Sequence, residues 1–215
     1  MLKKRILVLA SGDAKGGGSG FQELVEFSRT KPPILEAEIV GVISNHENGG
    51  VRKKADSLGI NFKFWSGPFD IPGYQARIIE FNPDFIMCSG WLKMVKGLDP
   101  KTTINIHPGP LPEFGGPGMY GHHVHEAVIA AYKKGEITQS AVTMHFVDDM
   151  YDHGPIIFKI PVIIRPEDDA DTLAKRVNEK ERAWQSYILN RVIHGDIYLK
   201  NNQVYRINGA ENLPH

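Results

Sequence analysis

Two side chains able to serve an oxyanion stand two residues apart in Ile104-Asn105-Ile106-His107-Pro108. An amide donates hydrogen bonds to an oxygen that gains negative charge, and an imidazole does the same while also handling a proton. Residues two apart in a strand face the same side, so one reacting carbonyl can meet both; a pair that caps its own turn is the plainer alternative. Further along, Asp148-Asp149-Met150-Tyr151-Asp152-His153-Gly154-Pro155 offers three carboxylates. Asp148 and Asp149 read as a solvated loop, whereas Asp152 opens the next strand and has a better-defined position. A carboxylate that reaches His107 is expected to raise the imidazole pKa and keep the ring protonated.

The loop from Ser11 to Gly20 follows a buried apolar run and precedes a helical pattern. Its glycines allow backbone N–H groups to approach an anion at a helix N-terminus. It is not a Walker A loop, because Gly18 stands where the lysine belongs, nor G-x-G-x-x-G, because Phe21 replaces the last glycine. The choice lies between a flexible turn and a monophosphate site built on Ser19, Gly20 and neighbouring N–H groups. On a long helical segment the stripe Leu173, Val177, Trp184, Ile188, Val192 is interrupted by Glu181. Buried carboxylates need a partner, so Glu181 is either in a structural ion pair or an acceptor for ligand hydroxyl or ammonium groups. His122, His123 and His125 read as a histidine-rich helix start rather than a metal site. Cys88 reads as core packing, as do Trp65, Trp91 and Trp184.

These groups need a scaffold that brings them together. Apolar runs alternate with amphipathic segments, the pattern of a mostly parallel sheet covered by helices. Strands are expected at 5–10, 38–44, 61–65, 84–88 and 103–107, with helices beginning near Phe21 and over 51–58, 74–81 and 124–134. A half-buried strand is expected at 141–147. One at 156–164 is confined by Pro161 to an edge or bulge. A helix over 169–193 and a terminal hairpin complete the chain. Pro108 to Gly121 holds four prolines and five glycines, too many for the interior of any element. The 215 residues carry 25 basic and 25 acidic side chains, and 41% are hydrophobic. That balance argues against a polybasic nucleic-acid binder and against a disordered acidic chain. No apolar run approaches the ~20 residues needed to span a bilayer. One cysteine excludes an internal disulfide. The expectation is a soluble, cytoplasmic, single-domain protein.

In Asn105-Ile-His107-Pro-Gly-Pro-Leu-Pro112 and His145-Phe-Val-Asp-Asp-Met-Tyr-Asp152-His-Gly-Pro155 the chain resembles the folate-dependent formyltransferases over nearly its whole length. The resemblance implies one formyltransferase domain over 1–215, a Rossmann-like α/β fold with helices on both faces of the sheet. It implies 10-formyltetrahydrofolate as donor and the amine of glycinamide ribonucleotide, a phosphoribosyl compound, as acceptor. Asn105, His107 and Asp152 take the catalytic positions. Gly18, Ser19 and Gly20 would hold the acceptor phosphate with Asn178, and Glu181 would face its ribose hydroxyls. Trp91, Leu92, Lys93, Met94 and Val95, with Asp148 and Asp149, would line the folate pocket. No metal, nucleic acid or membrane is implied, and the chain acts as a monomer or homodimer. The sequence also departs from the family pattern: the first loop is longer and richer in glycine, Gly20 replaces an asparagine, and Lys93 replaces a common arginine. The rival readings are formylation of another amine such as an amino-sugar nucleotide, a non-catalytic folate or nucleotide sensor, and a hydrolase releasing formate.

Overall fold

A computed structural model describes residues 2–14, 16–207 and 209. The chain runs β1 (Lys4–Leu9), α1 (Ser19–Ser28), β2 (Ala37–Ser44), α2 (Gly50–Leu58), β3 (Phe62–Phe64), α3 (Ile71–Ile79), β4 (Phe85–Ser89), β5 (Thr103–His107), α4 (His122–Lys133), β6 (Gln139–Phe146), β7 (Ile156–Ile163), α5 (Ala170–Ile193), β8 (Ile197–Lys200) and β9 (Gln203–Arg206). Seven strands form one sheet in the order β3-β2-β1-β4-β5-β6-β7, and β8 and β9 form a separate hairpin. The first five strands pair in parallel, and β6 and β7 add antiparallel neighbours. Strand alternation sorts β1 between two cores. Ile6 and Val8 pack with side chains of α1, α2, α4 and α5 on one face, while Leu7 and Leu9 pack with Tyr74 and Ile78 of α3 on the other. The sheet is therefore mostly parallel with helices on both faces, as the alternating pattern implies.

Several details differ from expectation. The third helix begins at Ile71 rather than Tyr74, since Pro72 sits in its first turn and Asp70 caps it through Gly73 N–H at 2.8 Å. Proline is tolerated there because that N–H has no intrahelical partner. β6 is not half-buried: all of its residues after Gln139 are buried, because it lies between two strands of a sheet covered on both faces. Pro161 does lie on an edge strand, β7. On α5 the buried stripe passes through Gln185 and not Trp184, which is only partly buried. Steps of four from Val177 reach Glu181 and then Gln185, so two polar residues interrupt the apolar face. The start of this helix is firmly held. Asp169 and Thr172 form a capping box, and buried Asp168 takes paired hydrogen bonds from Arg176 at 2.6 and 2.9 Å.

Candidate active site

In the parallel part of the sheet the strand order reverses between β1 and β4, and the loops at their carboxyl ends open a crevice there. β5 delivers Asn105 and His107 beside it, and antiparallel pairing sets His145 of β6 directly opposite Asn105. The segment after β6 brings back Asp152, whose backbone adopts φ +52°. Gly154 permits this path, because a Cβ there would lie 1.8 Å from the carbonyl oxygen of Phe146. Asp152 Oδ2 lies 3.6 Å from His107 Nδ1 and accepts from Gly116 N–H at 3.1 Å. Its Oδ1 faces Asn105 Nδ2 at 3.4 Å and His145 Nε2 at 3.6 Å. The carboxylate thus meets both β5 side chains, 45 positions before it in the case of His107.

Hydrogen bonding determines where the protons sit. His107 Nε2 is 2.7 Å from the carbonyl of Phe114, and a carbonyl only accepts, so Nε2 carries the proton. In the neutral ring Nδ1 is then a lone pair facing Asp152. His145 Nδ1 likewise donates to the carbonyl of Phe146 at 2.8 Å, so its Nε2 accepts from Asn105 Nδ2 at 3.0 Å. One amide proton of Asn105 is committed to His145. The second, held only at 3.4 Å toward Asp152, is the one a ligand oxygen can take. His145 was not among the candidate residues. Its only signal was its place in the second motif, and strand register, which the sequence does not display, gives it its role.

Electrostatics revise one expectation. Burial pulls the His107 pKa below its ordinary value, and this outweighs the attraction of Asp152 and the bond to Phe114. The ring is therefore neutral near pH 7, not held protonated. Asp152 stays ionised: burial raises its pKa, but its partners, with Gly116 N–H donating to Oδ2 at 3.1 Å, leave it lowered. Burial also takes His125 down to about 4, and its Nδ1 has no partner among the described residues. Cys88 is buried packing, its thiol pushed up to about 12.

Two cavities meet at this centre. The larger, of about 590 Å³, is lined by Gly18, Ser19, Gly20, Asn178 and Glu181 together with Asn105, His107 and Asp152. The smaller, of about 50 Å³, is lined by Trp91, Lys93, Met94, Val95 and Asp148, again with Asn105 and Asp152. Only the first falls within the ~300–1,000 Å³ usual for a small-molecule site. All five residues expected at the phosphate and ribose end thus share one cavity. Two expected at the folate end do not join their group. Leu92 lies on the larger cavity, after the turn at Gly90, and Asp149 lines neither because its carboxylate is tied to Gly97 N–H at 3.2 Å. At the end expected to hold the phosphate, Gly18 caps α1 without any side-chain hydrogen bond, which leaves first-turn N–H groups for an anion. Asn178 Nδ2 bonds Ser19 Oγ at 3.2 Å and Glu181 at 3.4 Å.

Glu181 has no cationic partner in an ion pair among the described residues; burial raises it from 4.5 to about 7, against the hydrogen bond from Asn178. The unfolded chain gives up this proton first. The stabilisation it provides is therefore full below about pH 4.5 and is lost as pH rises through about 7. Glu181→Gln removes that loss. Denaturant titrations at pH 5 and pH 8 are expected to show a smaller fall in stability for the variant than for the wild type, and an equal fall would contradict the assignment.

Residues 4–189 match the family model for formyl transferase. A chloroplastic phosphoribosylglycinamide formyltransferase from Vigna unguiculata is 30% identical over 221 residues, covering 98% of this chain and 67% of that one. Among solved structures, the phosphoribosylglycinamide formyltransferase of Coxiella burnetii aligns with a TM-score of 0.78 at 28% identity, over 95% of this chain and 94% of that one. Glycinamide ribonucleotide transformylase 1 from Symbiobacterium toebii shares the fold with a TM-score of 0.80 at 24% identity, covering 96% and 95% of the two chains. No helix among the described residues is long and apolar enough to cross a membrane. With a family match across most of its length and an amide, an imidazole and a carboxylate gathered between two cavities, this chain belongs to the formyl transferase family.

Proposed function

We propose that this protein is a phosphoribosylglycinamide formyltransferase. It moves the formyl group of 10-formyltetrahydrofolate to the amine of 5-phosphoribosylglycinamide in purine synthesis. It acts in the cytoplasm as a monomer or homodimer, with residues 1–215 as one formyltransferase domain. The observation that carries this reading is the position of Asn105 and Asp152 on the walls of both cavities, with His107 Nδ1 3.6 Å from the carboxylate. A phosphate at the Ser19–Gly20 turn and ribose hydroxyls at Glu181 orient an acceptor whose amine points toward Asp152. Trp91, Lys93, Met94, Val95 and Asp148 form the donor side. The Asp148–Tyr151 segment, where Met150 and Tyr151 are exposed, borders this side.

The chemistry follows from the proton positions. The neutral amine attacks the formyl carbon, and the carbonyl electrons move onto oxygen. That oxygen accepts a hydrogen bond from the loosely held N–H of Asn105. The amine proton passes to the Nδ1 side of His107, where Asp152 stabilises the resulting imidazolium. Collapse of the adduct breaks the bond to the folate nitrogen, which recovers the proton. No covalent enzyme intermediate forms, and the donors are all side chains, so the step calls for no metal.

The test is to mix the protein with 10-formyltetrahydrofolate and phosphoribosylglycinamide and to follow the folate absorbance, with a parallel run lacking acceptor. Turnover that depends on the acceptor is expected. Equal turnover without acceptor would identify a hydrolase, and none in either run would leave the sensor reading standing.

A further inference from the structure

Gln185 lies on the wall of the larger cavity, is fully buried, and has every polar atom of its amide engaged. Its Nε2 donates to the carbonyl of Gly20 at 2.8 Å and to Glu23 Oε2 at 2.6 Å, and its Oε1 accepts from Ser89 Oγ at 3.1 Å. One amide therefore joins the first turn of α1, the following turn of the same helix and the end of β4. The joint is tight. A Cβ on Gly20 would lie 2.2 Å from Ser89 Oγ and 2.9 Å from Gln185 Nε2, so position 20 has no room for a side chain.

Glu23 closes this arrangement from inside the core. It is 2% exposed, and among the described residues neither its Oε1 nor the hydroxyl of Ser186 has a hydrogen-bond partner. Burial raises the carboxyl to about 7 against the hydrogen bond from Gln185 and the charge of Arg182, with Glu26 the other charged group acting on it. The formyl-transfer mechanism makes no use of this carboxyl. A buried acid is costly to keep, and here its one strong hydrogen bond is to the amide that holds Gly20.

We infer that Glu23 is a positioning residue for anion binding: through Gln185 and Ser89 it sets the N-terminal turn of α1 against the end of β4, so that the N–H groups at Ser19 and Gly20 converge on the acceptor phosphate. This rests on the proposed acceptor. Glu23→Gln keeps an oxygen that can accept from Gln185, whereas Glu23→Ala and Gln185→Ala leave the turn unheld.

Two measurements test the inference. The first is binding of inorganic phosphate, read by calorimetry. Relative to the wild type, Glu23→Ala and Gln185→Ala are expected to bind about tenfold more weakly, the loss of roughly one hydrogen bond to a charged group, and Glu23→Gln within about threefold. The second is the steady state, where the acceptor KM is expected to rise by a similar factor while kcat and the donor KM stay within about threefold. Ser89→Ala, which leaves the core intact, is expected to weaken phosphate binding about threefold and carries the test should Glu23→Ala fail to fold. Unchanged phosphate binding in Glu23→Ala, or in Ser89→Ala when that variant carries the test, overturns the inference. So does a parallel fall in kcat, a rise in donor KM, or no rescue by Glu23→Gln. Loss of acceptor-dependent transfer in the wild type with the phosphate pattern intact would instead overturn the proposed function and leave the positioning role standing.

Discussion

Asn105→Ala is expected to lower kcat by about 10²–10³-fold, the usual cost of removing one oxyanion donor. The effect arises from a single proton. Asn105 Nδ2 is 3.0 Å from His145 and 3.4 Å from Asp152, so its second N–H is the less firmly held and can donate to a developing oxyanion at little cost. Alanine leaves His145 Nε2 and Asp152 Oδ1 without that donor, at a stability cost of about 1–3 kcal/mol. Turnover should therefore be measured well below the melting temperature, with circular dichroism to confirm the fold. Acceptor KM is expected to change little, because the phosphate and ribose contacts lie elsewhere on the cavity wall. A folded variant with kcat within a few-fold of wild type would remove Asn105 from the chemistry.

Asp152→Asn should cost about 10²–10⁴-fold in kcat, the range for loss of acid–base assistance. The substitution is nearly isosteric, yet it takes away the charge that stabilises an imidazolium at His107, 3.6 Å away. The direction of the pH profile separates this role from a simpler one. Neutral His107 is the working form, so kcat rises with pH through the ring's pKa, which burial already holds below the ordinary value. Removing the carboxylate takes away an influence that raises that pKa. The acid limb of kcat should then move to lower pH in Asp152→Asn, beneath a much lower plateau. An unmoved limb would mean that the two side chains do not communicate. A wild-type profile that falls as pH rises through this range would mean that His107 works as a protonated donor from the start.

The candidate site was legible in the sequence where a role depends on local features. Asn105 and His107 are two apart at the end of a short apolar strand, and that spacing alone puts both on one side. Ser19 and Gly20 follow a glycine-rich loop at a helix start, and Glu181 is a carboxylate set into a mostly apolar stripe. Each of these lines the larger cavity. What escaped depends on partners far along the chain. His145 faces Asn105 through the register of β6. Gln185 carries no mark in the sequence; the rotation of α5 buries it and leaves Trp184 only partly buried against the core. Asp149 and Leu92 carry no local sign that one lines neither cavity and the other the larger, since a hydrogen bond to Gly97 and the turn at Gly90 decide it.

Hydrophobic periodicity and the Pro and Gly breaks determined the element types and the mostly parallel sheet, and strand spacing put Asn105 and His107 on one side, because those depend on short-range sterics and the burial of apolar stripes. The tertiary structure alone decided that Asp152 reaches His107, that the ring is neutral, and that Glu23 supports Gly20. Proton positions and pKa values are set by how much water and how many donors surround a group. Those neighbours come from segments that the chain order keeps apart and only the pairing of β6 with β5 and the packing of α5 against α1 and α4 bring together.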